Sequence, residues 1–464
     1  MKFKNILLIT GICISSIINA QSNFERSYLQ QGLKQAGISI AELNGKFYVT
    51  SISDDCGMCI SAECLTQIGQ NGNVIQTDVF SFGTDDEMVG VLTHFGSGFI
   101  FPIVYDHFSA TSNRKQIAIK YVDANGVDIW TTLISDSLND LQNLKLVVDA
   151  NNVITGFADN LTSGGVLFFR IDSSGNVIQK QSFGQLPEVY SVTDFIIRNN
   201  NFYVIGTGNV GGVNKTFFRK VDSNGITHDS TFYDFATEIS GLRINSYQDG
   251  FLICGEIYDS LGFGQAGLMH IDSLGNILWN KTLTTLGQNI ITSFAVFNNS
   301  RIVITGKSID ASNNVILFII SADSTGNLIW KRDYCLPGSP NGCLNSVGNS
   351  IIEASDHSIV VCGQVQYFQT YPNLYVLKAD AEGLVNFVSN IVNTESAPFI
   401  RKRRGSELLT VENMSGNFSV SIFDMSGRLV LIKFNEIEFD FKSTEGNYVY
   451  KIEGSKGIYT GQLH

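Results

Sequence analysis

Ile271-Asp-Ser-Leu-Gly-Asn-Ile-Leu-Trp279 is one of seven variants of a single phrase: an apolar strand, Asp-x-x-Gly, then a second strand. Its glycines are Gly72, Gly126, Gly175, Gly225, Gly275, Gly326 and Gly383, at intervals of 54, 49, 50, 50, 51 and 57 residues. Self-similarity near fifty residues is the signature of a repeat array or propeller. Asp stands three places before the Gly in six units (Asp123, Asp172, Asp222, Asp272, Asp323 and Asp380), and Gly69 takes that place in the first.

The fifth unit shows how a repeat becomes a sheet. Residues 241–248 read as a strand, Asp249-Gly250 as a turn and 251–258 as the next strand. A polar loop follows, then 267–272, the turn Ser273-Leu274-Gly275, and 276–282. Four strands joined by hairpin-length connections are antiparallel. The Asp carboxylate accepts amides of its own turn and the Gly supplies a positive φ, so the phrase is turn chemistry rather than a calcium loop. Seven such units predict an all-β chain containing a seven-bladed β-propeller of four-stranded antiparallel blades.

Stacking is legible too. Val166-Leu-Phe-Phe169 and Val315-Ile-Leu-Phe-Ile-Ile320 are continuous apolar runs, as strands covered on both faces require. Gly156, Gly206, Gly255, Gly306 and Gly363 close the preceding strands, a sign of close backbone approach. Trp130, Trp279 and Trp330 each fall four residues after the repeat Gly, a shared register that points to packing between units rather than an exposed sugar platform. Two segments compete to close the ring: 24–28, which resembles the last strand of a unit, and 384–391.

At 464 residues the chain exceeds one ordinary core. Lys2 and Lys4, the apolar run 5–18 and Ala20 before Gln21 read as a secretory signal cleaved between Ala20 and Gln21. No comparable stretch follows, so a membrane-spanning helix is not expected. Removing 1–20 leaves 29 basic against 43 acidic residues, a formal charge of −14. Such a surface repels phosphate backbones and excludes nucleic acid as a partner.

Seven of eight cysteines remain in the mature chain. Cys335 and Cys343 bracket one loop and are expected to pair in an oxidising compartment. Cys56, Cys59 and Cys64 crowd another loop, read as one disulfide plus a leftover thiol, because a fourth metal ligand is missing. Cys254 and Cys362, at matching repeat positions, read as small core residues. The six histidines show no ligand spacing, no Gly-x-Ser-x-Gly elbow is present, and Asp85-Asp86-Glu87 reads as a solvated loop. No cofactor, catalytic or metal residue is assigned.

The 271–279 phrase resembles the docking phrase of quinoprotein-like propellers, and more closely the repeats of Bacteroidetes surface proteins, over roughly residues 23–392. The quinoprotein resemblance implies a quinone and calcium beneath adjacent cysteines. This chain has no adjacent cysteines, so that activity does not carry over.

After the basic run Arg401-Lys-Arg-Arg404 the chain changes character. Short strands at 407–412, 418–430, 437–441, 446–452 and 459–463 read as a small β-sandwich. Ile422-Phe-Asp-Met-Ser-Gly-Arg-Leu-Val430, Gly446-Asn-Tyr-Val-Tyr-Lys-Ile452 and Tyr459-Thr-Gly-Gln-Leu463 resemble the C-terminal sorting domain of the type IX (Por) secretion system. Asp424, Gly427, Gly446, Tyr448 and Tyr459 carry the match, although Ala397-Pro398-Phe399-Ile400 replaces the usual opening phrase. The resemblance implies export by that machinery to the cell surface or medium, with lipopolysaccharide as an anchor.

The domains read as a signal peptide (1–20), a propeller (21–392), a linker (393–406) and a sorting domain (407–464). The function expected is an exported, non-catalytic propeller that binds a glycan or protein. The alternative is a secreted hydrolase or lyase whose catalytic groups converge at the propeller mouth.

Overall fold

A computed structural model describes residues 23–28, 34–55, 60–80, 87–109, 112–134, 141–163, 165–183, 190–234, 239–258, 264–283, 288–309, 314–334, 345–366, 372–385, 399–402, 408–412, 418–424, 429–436, 438–441, 448–454 and 457–463. The signal junction at Ala20 and Gln21, and Cys56, Cys59, Cys335, Cys343, Gly427 and Gly446, lie outside these residues.

The described chain is all-β. Units one and three to six each form four strands in antiparallel order, as in unit five: Ser240–Tyr247, Gly250–Tyr258, Gly264–Ile271 and Ile277–Leu283. The third strand starts three residues before the sequence reading placed it. In unit two the first strand is split into Glu87–Val89 and Thr93–Phe95, both paired with Gly98–Ser109.

The turns explain the repeat phrase. Asp272 Oδ1 accepts the amides of Leu274 and Asn276 at 2.8 and 2.9 Å, and Asp323 does the same for Thr325 and Asn327. The repeat glycines hold φ between +72° and +88°, a region costly to any residue with a Cβ. In unit one, where Gly69 replaces the Asp, Asn71 Oδ1 takes the amide of Asn73 instead.

Burial follows strand position. The third strands Gly165–Ile171 and Asn373–Ala379 are buried almost throughout, whereas the fourth strand Ile277–Leu283 is mostly exposed. First strands touch one another from unit three to unit seven and from seven to one; units one, two and three join through neighbouring strands. The sheets therefore form a closed ring, with first strands inside and fourth strands on the perimeter. Apolar clusters fill the seams, as where Cys254 and Leu268 of unit five meet Ile304 and Phe318 of unit six.

The N-terminal segment closes the ring. Phe24–Tyr28 pairs antiparallel with the third strand of unit seven, Asn373–Ala379, with Phe24 opposite Lys378 and Tyr28 opposite Leu374. Residues 386–391 of the competing segment lie outside the described residues.

Beyond the repeats, Phe399–Lys402, Leu408–Glu412 and Glu438–Asp440 form one sheet, and Phe418–Asp424, Leu429–Phe434, Tyr448–Gly454 and Gly457–Leu463 form another. Leu409 and Phe439 of the first share a core with Val420, Ile422 and Ile452 of the second.

Candidate functional site

The ring's inner wall carries the chemistry. Six of the first strands slip register once against their second strand. The first residue past each slip is Ser39, Lys145, Asp194, Arg243, Ser293 or Ser350 in units one, three, four, five, six and seven. Such a β-bulge re-aims side chains and frees backbone groups for other partners.

Among the described residues, polar groups on this wall tie unit three through to unit seven, seven to one and one to two. Asp159 Oδ1 accepts the Val192 amide at 2.9 Å, and its Oδ2 accepts Ser191 Oγ and Asn143 Nδ2 at 2.6 and 2.8 Å. Asp194 Oδ2 takes the Ile244 amide at 3.0 Å. Glu256 takes the Ile291 amide and the Tyr258 hydroxyl, the latter at 2.9 Å. Elsewhere Thr292 Oγ1 donates to Gly348 O, Asn349 Nδ2 to Gly37 O, and the Leu92 amide to Ser39 Oγ. The wall is a girdle of bonds between units.

Lys145, Asp194 and Arg243 interrupt the serines with charge. Burial raises the carboxyls of Asp159, Asp194 and Glu256 above their usual range. Burial, then the nearby Arg243 guanidinium, lowers Lys145 to about 8 against the opposing pull of Asp194 and Asp159. One Arg243 N–H donates to Thr193 O at 3.4 Å.

At the end of the ring where the tight turns lie, a shallow cavity of about 440 Å³ opens among units one, two, six and seven. Glu42, His94, Asn298, Glu353 and Ser355 stand over a floor of Ile40, Leu92 and Ile352. Both carboxylates there are also engaged. Glu42 takes the Ser355 amide and hydroxyl at 2.6 and 2.7 Å, and Glu353 takes the Asn298 amide at 2.8 Å. Burial lowers the pKa of His94, whose ring lies 5.0 Å from Phe99.

The residues singled out in the sequence fall elsewhere. Cys64 is buried beside Glu63 in the third strand of unit one, and Cys254 and Cys362 are buried thiols whose pKa values burial raises. Trp130, Trp279 and Trp330 pack against the next unit's Gly175, Gly326 and Gly383. His270 is a core residue between Tyr247 and Trp279. Among the described residues, no group of three His, Cys, Asp or Glu is placed to hold a metal ion. In the C-terminal sheets Asp424 pairs opposite Tyr448, and Tyr459 opposite Ile452.

Sequence reading missed Lys145, Asp194 and Arg243. A signal existed: they precede their repeat glycines by 30, 31 and 32 residues, where Ser39, Ser293 and Ser350 precede theirs by 33.

No family model and no curated protein matches the sequence. Among solved structures the chain is similar to an ulvan lyase of a new polysaccharide lyase family, at 10% identity and TM-score 0.52, over 77% of this chain and 96% of that one. The same type of enzyme bound to a GlcA(1-4)Rha3S saccharide gives 9% identity and TM-score 0.51 over the same shares. A Bacteroides caccae protein of unknown function matches at 10% identity and TM-score 0.39, over 65% of this chain and 94% of that one. The two ulvan lyase likenesses support a β-propeller fold.

Proposed function

We propose that the protein is an exported, seven-bladed propeller that binds a glycan or protein without transforming it, delivered by a C-terminal sorting β-sandwich. The observation that carries the binding reading is the state of the carboxylates. Asp159, Asp194, Glu256, Glu42 and Glu353 all accept backbone amides of an adjoining unit. A glycosidase needs two carboxyl groups that pass protons or attack at a substrate. Here they hold the ring together.

The blade count rests on the seven repeat glycines and the closed cycle of sheets, and the sandwich on the core shared by the two C-terminal sheets. The export reading rests on the signal-like segment 1–20 and on the three sorting phrases, with type IX machinery as partner and lipopolysaccharide as anchor. The cell surface or the medium is the proposed location.

A lyase is the second reading. Lys145, lowered to about 8, carries a fraction of neutral amine near neutral pH and could take a proton, as a lyase base must. The ulvan lyase likeness keeps a polysaccharide substrate in view.

Incubating mature full-length protein with a panel of glycans and peptides separates the two, scoring both retention and product. Saturable retention with no product is expected. Product formation that is lost in Lys145→Gln would overturn the non-catalytic reading in favour of the lyase.

A further inference from the structure

We propose that the cavity at the turn end of the ring, walled by Glu42 and Glu353, receives a basic side chain, lysine or arginine, of a partner protein or peptide. The inference rests on the binding reading above and names the chemistry of that ligand.

One turn brings the two carboxylates to the same cavity. Glu353 ends the first strand of unit seven, Asn345–Glu353, and Glu42 lies one residue from the end of the first strand of unit one, Lys34–Leu43. Ser355, two residues past Glu353, gives its amide and its hydroxyl to Glu42 at 2.6 and 2.7 Å, and Gln70 Nε2 donates to Glu42 Oε1 at 2.8 Å. The Asn298 amide and His357 Nδ1 hold the two oxygens of Glu353, each at 2.8 Å. Both glutamates are partly exposed.

These bonds position the carboxylates without a fixed cation to balance them. The cavity lining contains no lysine or arginine. The one ion-pair partner of Glu353 among the described residues is His357, charged only when protonated. Lys378, which reaches Gln70 behind Glu42, is already paired with Asp356 at 2.7 Å.

What the cavity offers a ligand is mostly acceptors. Carboxylates only accept, and the Ser355 hydroxyl hydrogen is committed to Glu42. The His94 ring, kept neutral by burial, bonds the Glu42 backbone carbonyl, so its other nitrogen accepts as well. The Asn298 side-chain amide is the remaining donor. Such a wall fits a head group that only donates and is positively charged: an ammonium with three N–H bonds or a guanidinium with five. A sugar hydroxyl brings an acceptor with every donor and no charge.

The floor agrees with the wall. Ile40, Leu92 and Ile352 make an apolar bed below the carboxylates, as the methylene stem of a lysine or arginine requires. At about 440 Å³ the cavity falls in the range of ligand pockets, roughly 300–1,000 Å³.

The test is saturation-transfer NMR on the mature full-length chain at constant ionic strength. The probes are Nα-acetyl-lysine amide, Nα-acetyl-arginine amide, the uncharged Nα-acetyl-norleucine amide and methyl galactoside. The basic probes are expected to bind saturably with a Kd on the order of 1 mM, as ligands of that size do. Norleucine amide should bind at least about tenfold more weakly, the loss of one charged hydrogen-bonding group. Glu42→Gln and Glu353→Gln should each weaken the basic probes by about tenfold and leave norleucine amide unchanged. Because both glutamates also hold backbone amides, Asn298→Lys provides a variant that keeps them. Asn298 is exposed, and an ammonium there should block the basic probes with the thermal midpoint unchanged. Equal binding of the lysine and norleucine probes overturns the proposal, as does basic-probe binding that persists in Asn298→Lys. Tighter binding of methyl galactoside than of the basic probes also overturns it, assigning the cavity to a neutral saccharide. The two proposals fail separately. Basic-probe binding with product formation in the panel sinks the non-catalytic reading alone, whereas panel retention unaffected by Asn298→Lys sinks the cavity proposal alone.

Discussion

Tyr375 donates its hydroxyl hydrogen to Glu25 Oε1 at 2.6 Å, joining residues 350 positions apart in the chain. The bond lies in the seam where Phe24–Tyr28 completes the sheet of unit seven. Loop closure over that distance costs entropy that local pairs do not pay, so the seam must be well packed to stay shut. Phe24 supplies the packing. It is 5% exposed, lies against Gly72, and joins Phe47, Val360 and Val376 in one cluster.

Phe24→Ala is therefore expected to destabilise the repeat domain by about 3–5 kcal/mol, the usual range for a large aromatic removed from a core. Urea unfolding followed by tryptophan fluorescence measures it. An unchanged midpoint would mean that the ring does not depend on this strand.

Much of this was legible because repeats encode their own comparison. Tryptophans at the same distance from three of the repeat glycines can be read as packing without coordinates, and Trp279 does lie on Gly326 of the next unit. The turn role of Asp272 was legible for the same reason, since Asp-x-x-Gly is a local device. Lys145, Asp194 and Arg243 were harder. They are adjacent only because the ring stacks units side by side, and the inserted residue in each first strand decides which way they point. Periodicity fixes neither the stacking distance nor the bulge. Phe24 could be nominated as a closing residue but not chosen over 384–391, because both segments carry strand patterns.

Gly326 tests the packing between units. Its φ is +79°, and an added Cβ would stand 2.7 Å from the Trp279 ring. Gly45 is the control, with φ +69° and open space around it. Gly45→Ala should cost about 1–2 kcal/mol for the left-handed backbone alone. Gly326→Ala should cost about 2–4 kcal/mol, since overpacking adds to the same backbone term. Equal losses in the two variants would show that the Trp279 contact adds nothing.

Acid should loosen the turns before it loosens the core. Two backbone amides and the Thr325 and Asn327 side chains donate to Asp323, with the Asn327 amide the largest influence, and they lower its pKa from 3.8 to about 2. Asp123, Asp172, Asp222 and Asp272 shift in the same direction. A carboxyl whose pKa is lower folded than unfolded adds stability above its unfolded value, and loses it as pH falls through the folded value. For Asp323 that window runs from about pH 4 down to about pH 2. Asp323→Asn keeps an acceptor oxygen but removes the charge that strengthens the bonds. The thermal midpoint of wild type should exceed that of the variant by a constant small margin from pH 7 to about 4, and the margin should vanish towards pH 2. It stays small because solvent screens an exposed carboxylate. Substituting these five turn aspartates together should enlarge the margin nearly additively, since the turns lie in separate units. Burial shifts Asp159, Asp194 and Glu256 the opposite way, so their contribution grows as they protonate and cannot produce an acid-side loss. A margin that widens below pH 4 would remove the turn carboxylates as the cause.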